Sequence, residues 1–246
     1  AQSRATAVSD NGQRIVGDTP PSGAGEQSFI WELPKDSSGA ESVSLIPNID
    51  NLRGISGNGE VAVGSTDGIT SSANSAVPWA NLNGRRSLAG IDFSPPSVAV
   101  AASVDASVIG GSANFGGEGT ATLWDSNGVA TNLGDLTTND PSERETSLIG
   151  DLSRDGSVAV GWGVIGPFGS ALQRAIRWTA SSGMVELGVW PGMSESAAQA
   201  TNGDGSIVAG LSHDGVNGNP EAFLWTADSG MLSLASVLTS EGADLM

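Results

Sequence analysis

Few residues in this chain carry the equipment for chemistry. One histidine, His213, stands beside Asp214 in Ser212-His213-Asp214-Gly215. An imidazole next to a carboxylate can move a proton or hold a metal ion. Neighbours in a loop seldom point at one substrate atom, however, so the pair reads first as an exposed turn and second as a ligand contact. The acids Asp135, Asp140, Glu143 and Glu145 offer the oxygen ligands that calcium favours, but Arg144 interrupts them and the spacing is not that of a calcium loop. Asn202-Gly203-Asp204-Gly205 and Gly116-Gly117-Glu118-Gly119 resemble calcium loops only at their first positions, and turn chemistry explains them better. The chain has no cysteine, no Gly-x-Ser-x-Gly elbow, no phosphate loop and no second histidine. No cofactor is expected, calcium being the weak exception. Sugar hydrolysis would need two acids about 5–10 Å apart. The inward strand positions offer one, Asp151, with Arg53 and Gln199 as the other polar candidates.

Aromatic rings are the remaining candidates. Trp162 and Trp190 lie outside the repeat pattern described next, as do Phe115 and Phe168. Exposed rings can stack on sugars or anchor a protein partner; the plainer use is to hold their own loops in place.

The scaffold is a repeat. Five segments of the 246 residues align, about 5–50, 51–97, 98–147, 148–197 and 198–246, as one five-repeat domain. Each opens with an apolar strand ending in a small polar residue: Ser9, Ser56, Ser103, Ser153 or Asn202. A turn such as Asp10-Asn11-Gly12 or Arg154-Asp155-Gly156 follows, predicting two-residue hairpins with positive φ. The third copy has Ala106 where the others have glycine. A second strand ends in Gly17, Gly64, Gly111, Gly161 and Gly210, spaced 47, 47, 50 and 49 residues apart. A glycine there marks close approach of another backbone. A third strand carries Trp31, Trp79, Trp124, Trp178 and Trp225, each three residues after a small one, as packed sheets require. Pro78 predicts a strand in the second copy that is irregular or at a sheet edge. A fourth short strand completes the unit: Val43-Ser44-Leu45, Arg86-Ser87-Leu88, Ala130-Thr131-Asn132-Leu133, Val185-Glu186-Leu187 and Leu232-Ser233-Leu234.

Four strands per unit of this length is the arithmetic of a β-propeller, so the expected fold is all-β, with five four-stranded blades; an open stack of the same repeats is the alternative. Propeller strand order puts the tight connections on one face and the long ones on the other, and the long-connection face is the expected binding surface.

Charge narrows the partners. Twenty-seven acids against ten Lys and Arg leave −17, which argues against nucleic acid and anionic membrane. No apolar run is long enough to span a bilayer. The start Ala1-Gln2 predicts a mature chain after signal-peptide removal.

Ala222-Phe223-Leu224-Trp225-Thr226 and Ala175-Ile176-Arg177-Trp178-Thr179, each followed by Ser-Gly-Met, together with Ser153-Arg154-Asp155-Gly156-Ser157 running to Gly161, resemble the extracellular HAF repeat family. Glu221 and Arg174 stand where that family has its naming histidine. The resemblance implies export, to a bacterial surface or as an autotransporter passenger. The resulting expectation is a secreted or cell-surface binding and adhesion module without catalysis, with carbohydrate or protein as ligand. The alternatives are a self-assembling subunit of a filament or surface layer, and a polysaccharide hydrolase.

Overall fold

The computed structural model describes residues 3–22, 25–34, 39–46, 51–66, 75–80, 84–85, 97–114, 119–136, 146–167, 169–215 and 220–243. Phe115, Phe168, Asp140, Glu143, Glu145 and Gly116 to Glu118 lie outside these residues. So do the fourth-strand residues expected at 86–88. The side chain of Trp79 is likewise not described. The chain forms two compact units, Ala1–Asn132 and Leu133–Met246.

The first unit holds three antiparallel sheets, each a meander of four strands in chain order. They are β1 (Arg4–Val8), β2 (Arg14–Ser22), β3 (Gly25–Glu32) and β4 (Ser42–Ile46); β5 (Asn51–Ile55), β6 (Val61–Thr66), β7 (Ser75–Ala80) and β8 (Gly84–Arg85); and β9 (Val98–Ala102), β10 (Val108–Asn114), β11 (Gly119–Asp125) and β12 (Ala130–Asn132). The second unit holds two more: β13 (Ser147–Leu152), β14 (Val158–Ile165), β15 (Leu172–Thr179) and β16 (Gly183–Glu186), then β17 (Glu195–Thr201), β18 (Ile207–His213), β19 (Glu221–Thr226) and β20 (Gly230–Ser233).

Within each unit the core lies between successive sheets. Val16, Ile30 and Ile46 of the first sheet pack with Leu52, Ile55 and Ala62 of the second. Val63 joins Ala99, Ile109 and Trp124 of the third. In the second unit Val158, Val160, Ala175 and Leu187 meet Ala198, Val208 and Phe223. Alternating apolar strands supply one face to each neighbour, as sheet-on-sheet packing requires.

The repeat tryptophans share one register. Trp31, Trp79, Trp124, Trp178 and Trp225 pair with Ile15, Ala62, Ile109, Ala159 and Val208, each two residues before the strand-two glycine. Their burial differs: Trp124 is 0 % exposed, whereas Trp31, Trp178 and Trp225 are half-buried. Burying the Trp124 ring contributes about 3 kcal/mol, offset in part because its indole N–H finds no acceptor among the described residues.

The repeat glycines coincide with a break in each ladder. The first strand of every sheet carries a bulge, skipping Thr6, Arg53, Val100, Gly150 and Gln199. A Cβ on Gly17, Gly64, Gly111, Gly161 or Gly210 would meet a first-strand carbonyl oxygen at 2.1, 2.0, 1.9, 1.9 and 2.2 Å. The bulge brings the two backbones together, and only glycine leaves room.

The turns after the first strands differ from the two-residue hairpins expected. Four residues separate the closing pair, and one of them has positive φ: Gly12, Gly59, Ala106, Gly156 and Gly205, with Ala106 at 57°. The polar residue ending the strand explains the longer turn. Ser9, Ser56, Ser103 and Ser153 Oγ and Asn202 Oδ1 accept the N–H five residues on, replacing the ladder bond that the turn gives up. Asn11, Asn58, Asp105, Asp155 and Asp204 accept the N–H two residues beyond themselves.

Successive turns are tied by main-chain bonds. In the first unit Asp10 N–H donates to Gly57 at 3.0 Å and Asn58 N–H to Val104 at 2.8 Å; in the second, Arg154 N–H donates to Gly203 at 2.8 Å. An arginine of the preceding sheet reaches the same turns: Arg14 donates to the carbonyl of Gly59 and Arg177 to that of Gly205.

Pro78 occupies a central strand, not an edge. Among the described residues β8 pairs with Trp79 and Ala80. Among the described residues one helix, α1 (Leu234–Ser240), follows β20 with Ser233 as its N-cap. The sequence reading extended a strand through Leu234; the serine cap ends it one residue earlier.

Candidate functional site

The end of the second unit opposite the tight turns brings candidate residues together. The connections there are shorter than the sequence suggested. β14 continues through Trp162 to Ile165 and β15 begins at Leu172, so Trp162 is a strand residue facing Ala175 and Leu148. His213 closes β18 opposite Glu195. The reading as loops fails because the ladders extend until their backbone groups are paired, whereas sequence periodicity ends earlier.

Sheets four and five meet at this end through polar groups. Arg174 on β15 pairs with Glu186 at 2.9 Å and donates to the carbonyls of Ser194, at 2.5 Å, and Gln173. Gln173 N–H donates to Oε1 of Glu195 at 3.1 Å, and Oε2 of Glu195 lies 3.4 Å from Nδ1 of His213. Gly215 N–H donates to that same Nδ1 at 3.2 Å. Trp190 enters through its backbone, whose N–H donates to the buried Ser212 Oγ at 3.1 Å. Trp162 and Trp190 are half-buried, His213 keeps 28 % of its side chain in solvent, and Asp214 is exposed. The Trp190 backbone, an imidazole and the carboxylates of Glu195 and Asp214 thus stand at one end of β17 and β18, with Trp162 on β14. Glu195 and Arg174 were missed as members of this cluster. Their signal, a charged residue placed at a strand's first turn, is common to many solvated positions.

Asp151 does not face open solvent as a free acid. Its carboxylate accepts the N–H of Leu152 at 2.9 Å and that of Thr201 at 2.8 Å. It therefore pins β17 to β13. Burial pushes its carboxyl above the ordinary range, outweighing the two N–H bonds that favour charge. Arg53 and Gln199 are exposed bulge residues. Asp155, by contrast, is held down to about 2 by the N–H and hydroxyl of Ser157 and the hydroxyl of Ser153. Among the described residues no three His, Asp or Glu side chains gather as a metal site; Asp204 spends its oxygen on the Ser206 N–H at 2.9 Å. No described helix is long and apolar enough to cross a membrane.

No protein-family profile matches the sequence, and no curated protein matches it. Solved structures do match. TolB from Acinetobacter baumannii is similar over 94 % of this chain and 53 % of its own, with a TM-score of 0.63 and 15 % identity. The protein assigned as TolB in Agrobacterium tumefaciens is similar over 95 % of this chain and 80 % of its own, at 0.63 and 16 %. A prolyl endopeptidase matches over 96 % of this chain and 35 % of its own, at 0.58 and 14 %. This chain spans about half the length of the first and about a third of the last. Identities this low speak for the fold alone, and that fold is the TolB-like β-propeller class.

Proposed function

We propose that this protein is an exported, non-catalytic module that binds another protein through the long-connection face. The observation that carries the reading is the end of β17 and β18 where Glu195, His213 and Asp214 stand, with Trp190 bonded through its backbone to Ser212 and Trp162 on β14. Half-buried rings with a polar rim are the composition of protein-binding surfaces. The TolB-like fold supports it, as does the structural employment of Asp151, the one inward acid found for hydrolysis. Membership of the HAF repeat family, closure of five blades into a ring and delivery to the cell exterior belong to the same reading.

The test is photo-crosslinking from a reactive residue placed at position 214 or, separately, at position 155, in cells of the native host. Protein adducts from 214 and none from 155 are expected. Adducts confined to 155, or capture of glycan alone at 214, would overturn the reading. Small-angle scattering of the full chain distinguishes a closed ring from an open stack, and fractionation of the same cells reports export.

A further inference from the structure

Two groups make opposite demands on one nitrogen of His213. Gly215 N–H donates to Nδ1 at 3.2 Å, which requires a bare lone pair. Oε2 of Glu195 lies 3.4 Å from the same atom, an attraction that requires a proton there. Neutral imidazole has one bare and one protonated nitrogen, so it serves Gly215 with Nδ1 bare and the proton on Nε2. Imidazolium carries protons on both. The Gly215 N–H then loses its acceptor, and Glu195 gains a charged donor.

We infer that His213 is a proton-operated switch, exchanging a bond to the chain just beyond β18 for an ion pair with β17. The carboxylate partner is fixed independently of the imidazole. Oε1 of Glu195 is held by the Gln173 N–H, and the β17–β18 ladder sets Glu195 opposite His213. Charged groups stand on the neighbouring elements. Glu195 lies on β17, Asp214 is next in the chain, and Glu221 on β19 is bound by Ser233. Arg174 on β15 is engaged by Glu186 of β16. The inference does not depend on the binding reading above, since it concerns only the free protein.

The experiment is nitrogen NMR of the full chain with labelled histidine. A single histidine gives an unambiguous signal. Above the titration the spectrum is expected to show bare Nδ1 and protonated Nε2. Through the titration, Gly215 amide exchange, corrected for its intrinsic pH dependence, is expected to lose about five-fold in protection, one ordinary hydrogen bond. In His213→Asn, whose side-chain oxygen takes no proton in this range, Gly215 protection is expected to stay constant. A neutral form protonated on Nδ1, or Gly215 protection that ignores the titration in the native protein, overturns the switch. Equal loss of protection in the asparagine variant overturns it too.

Discussion

Replacing Gly161 with alanine tests the geometry shared by all five sheets. Glycine inside a strand ordinarily costs about 0.5–1 kcal/mol relative to alanine, so an unremarkable site would gain stability. Here the new Cβ would lie 1.9 Å from the carbonyl oxygen of Leu148, and 3.0 Å from Gly150 N and Ile149 Cα. All three are backbone atoms and cannot swing aside. Relief requires moving β13 from β14 by more than an ångström, which breaks ladder bonds on both sides of the bulge. We expect a loss of about 3–5 kcal/mol, the range of severe core disruption. At about 3 °C per kcal/mol for a chain of this size, the melting temperature falls by about 10 °C or more. Gly150 is the internal control. It lies in the same bulge, but a Cβ there would find its nearest neighbour at 3.6 Å, and Gly150→Ala should stay within about 1 kcal/mol of the native protein. Urea unfolding followed by tryptophan fluorescence measures both. Equal stability of the two variants would refute the argument that glycine is required by close backbone approach.

Five further outcomes follow from the same structure. Ala106→Gly removes an alanine from φ 57° and should stabilise by about 0.5 kcal/mol after the added chain entropy. Gly12→Ala, at φ +68° in open space, should cost about 1 kcal/mol from backbone strain alone, both by urea titration. Burial raises Asp151 above its unfolded value, so its stability contribution is greatest below the unfolded carboxyl range and fades as pH rises through the raised value. Asp151→Asn should therefore improve relative to the native chain as pH rises through and above the ordinary carboxyl range, read by urea unfolding across a pH series. Asp155 has the opposite sign: its contribution is present above 3.8 and is lost as pH falls through about 2, readable as the carboxyl shift in an acid NMR titration. Trp124→Phe should cost about 1–2 kcal/mol and Trp124→Ala about 3–5, because phenylalanine also removes the indole N–H that has no acceptor among the described residues.

The repeat elements could be read from sequence because their constraints are local. The strand-end serines, the turn glycines and the strand-two glycines each answer a backbone demand, and backbone demands recur at fixed spacing. The burial of the tryptophans could not be read this way. Trp124 meets Val63 of another sheet, and that partner lies some sixty positions earlier. The candidate edge was half legible. Trp162, Trp190, His213 and Asp214 stood out by type. Assignment to loops holds for Trp190 and Asp214 but missed the extended ladders that take in Trp162 and His213, and Glu195 is visible as a partner only when β17 is set beside β18. The helix at Leu234–Ser240 carried its own signal, a serine followed by Leu-Ala-Ser-Val-Leu, obscured by the match of Leu232-Ser233-Leu234 to the expected strand.

The bonds from Asp10 to Gly57, Asn58 to Val104 and Arg154 to Gly203 join peptide groups, not side chains. Such a fastening is blind to residue identity. The hairpin tips are consequently free to drift while the stacking stays fixed, which accounts for an acid, an amide, a valine, a guanidinium and a glycine among the participants. Duplicated units under this arrangement can lose mutual likeness, down to a few glycines and indoles, and still adopt the same form.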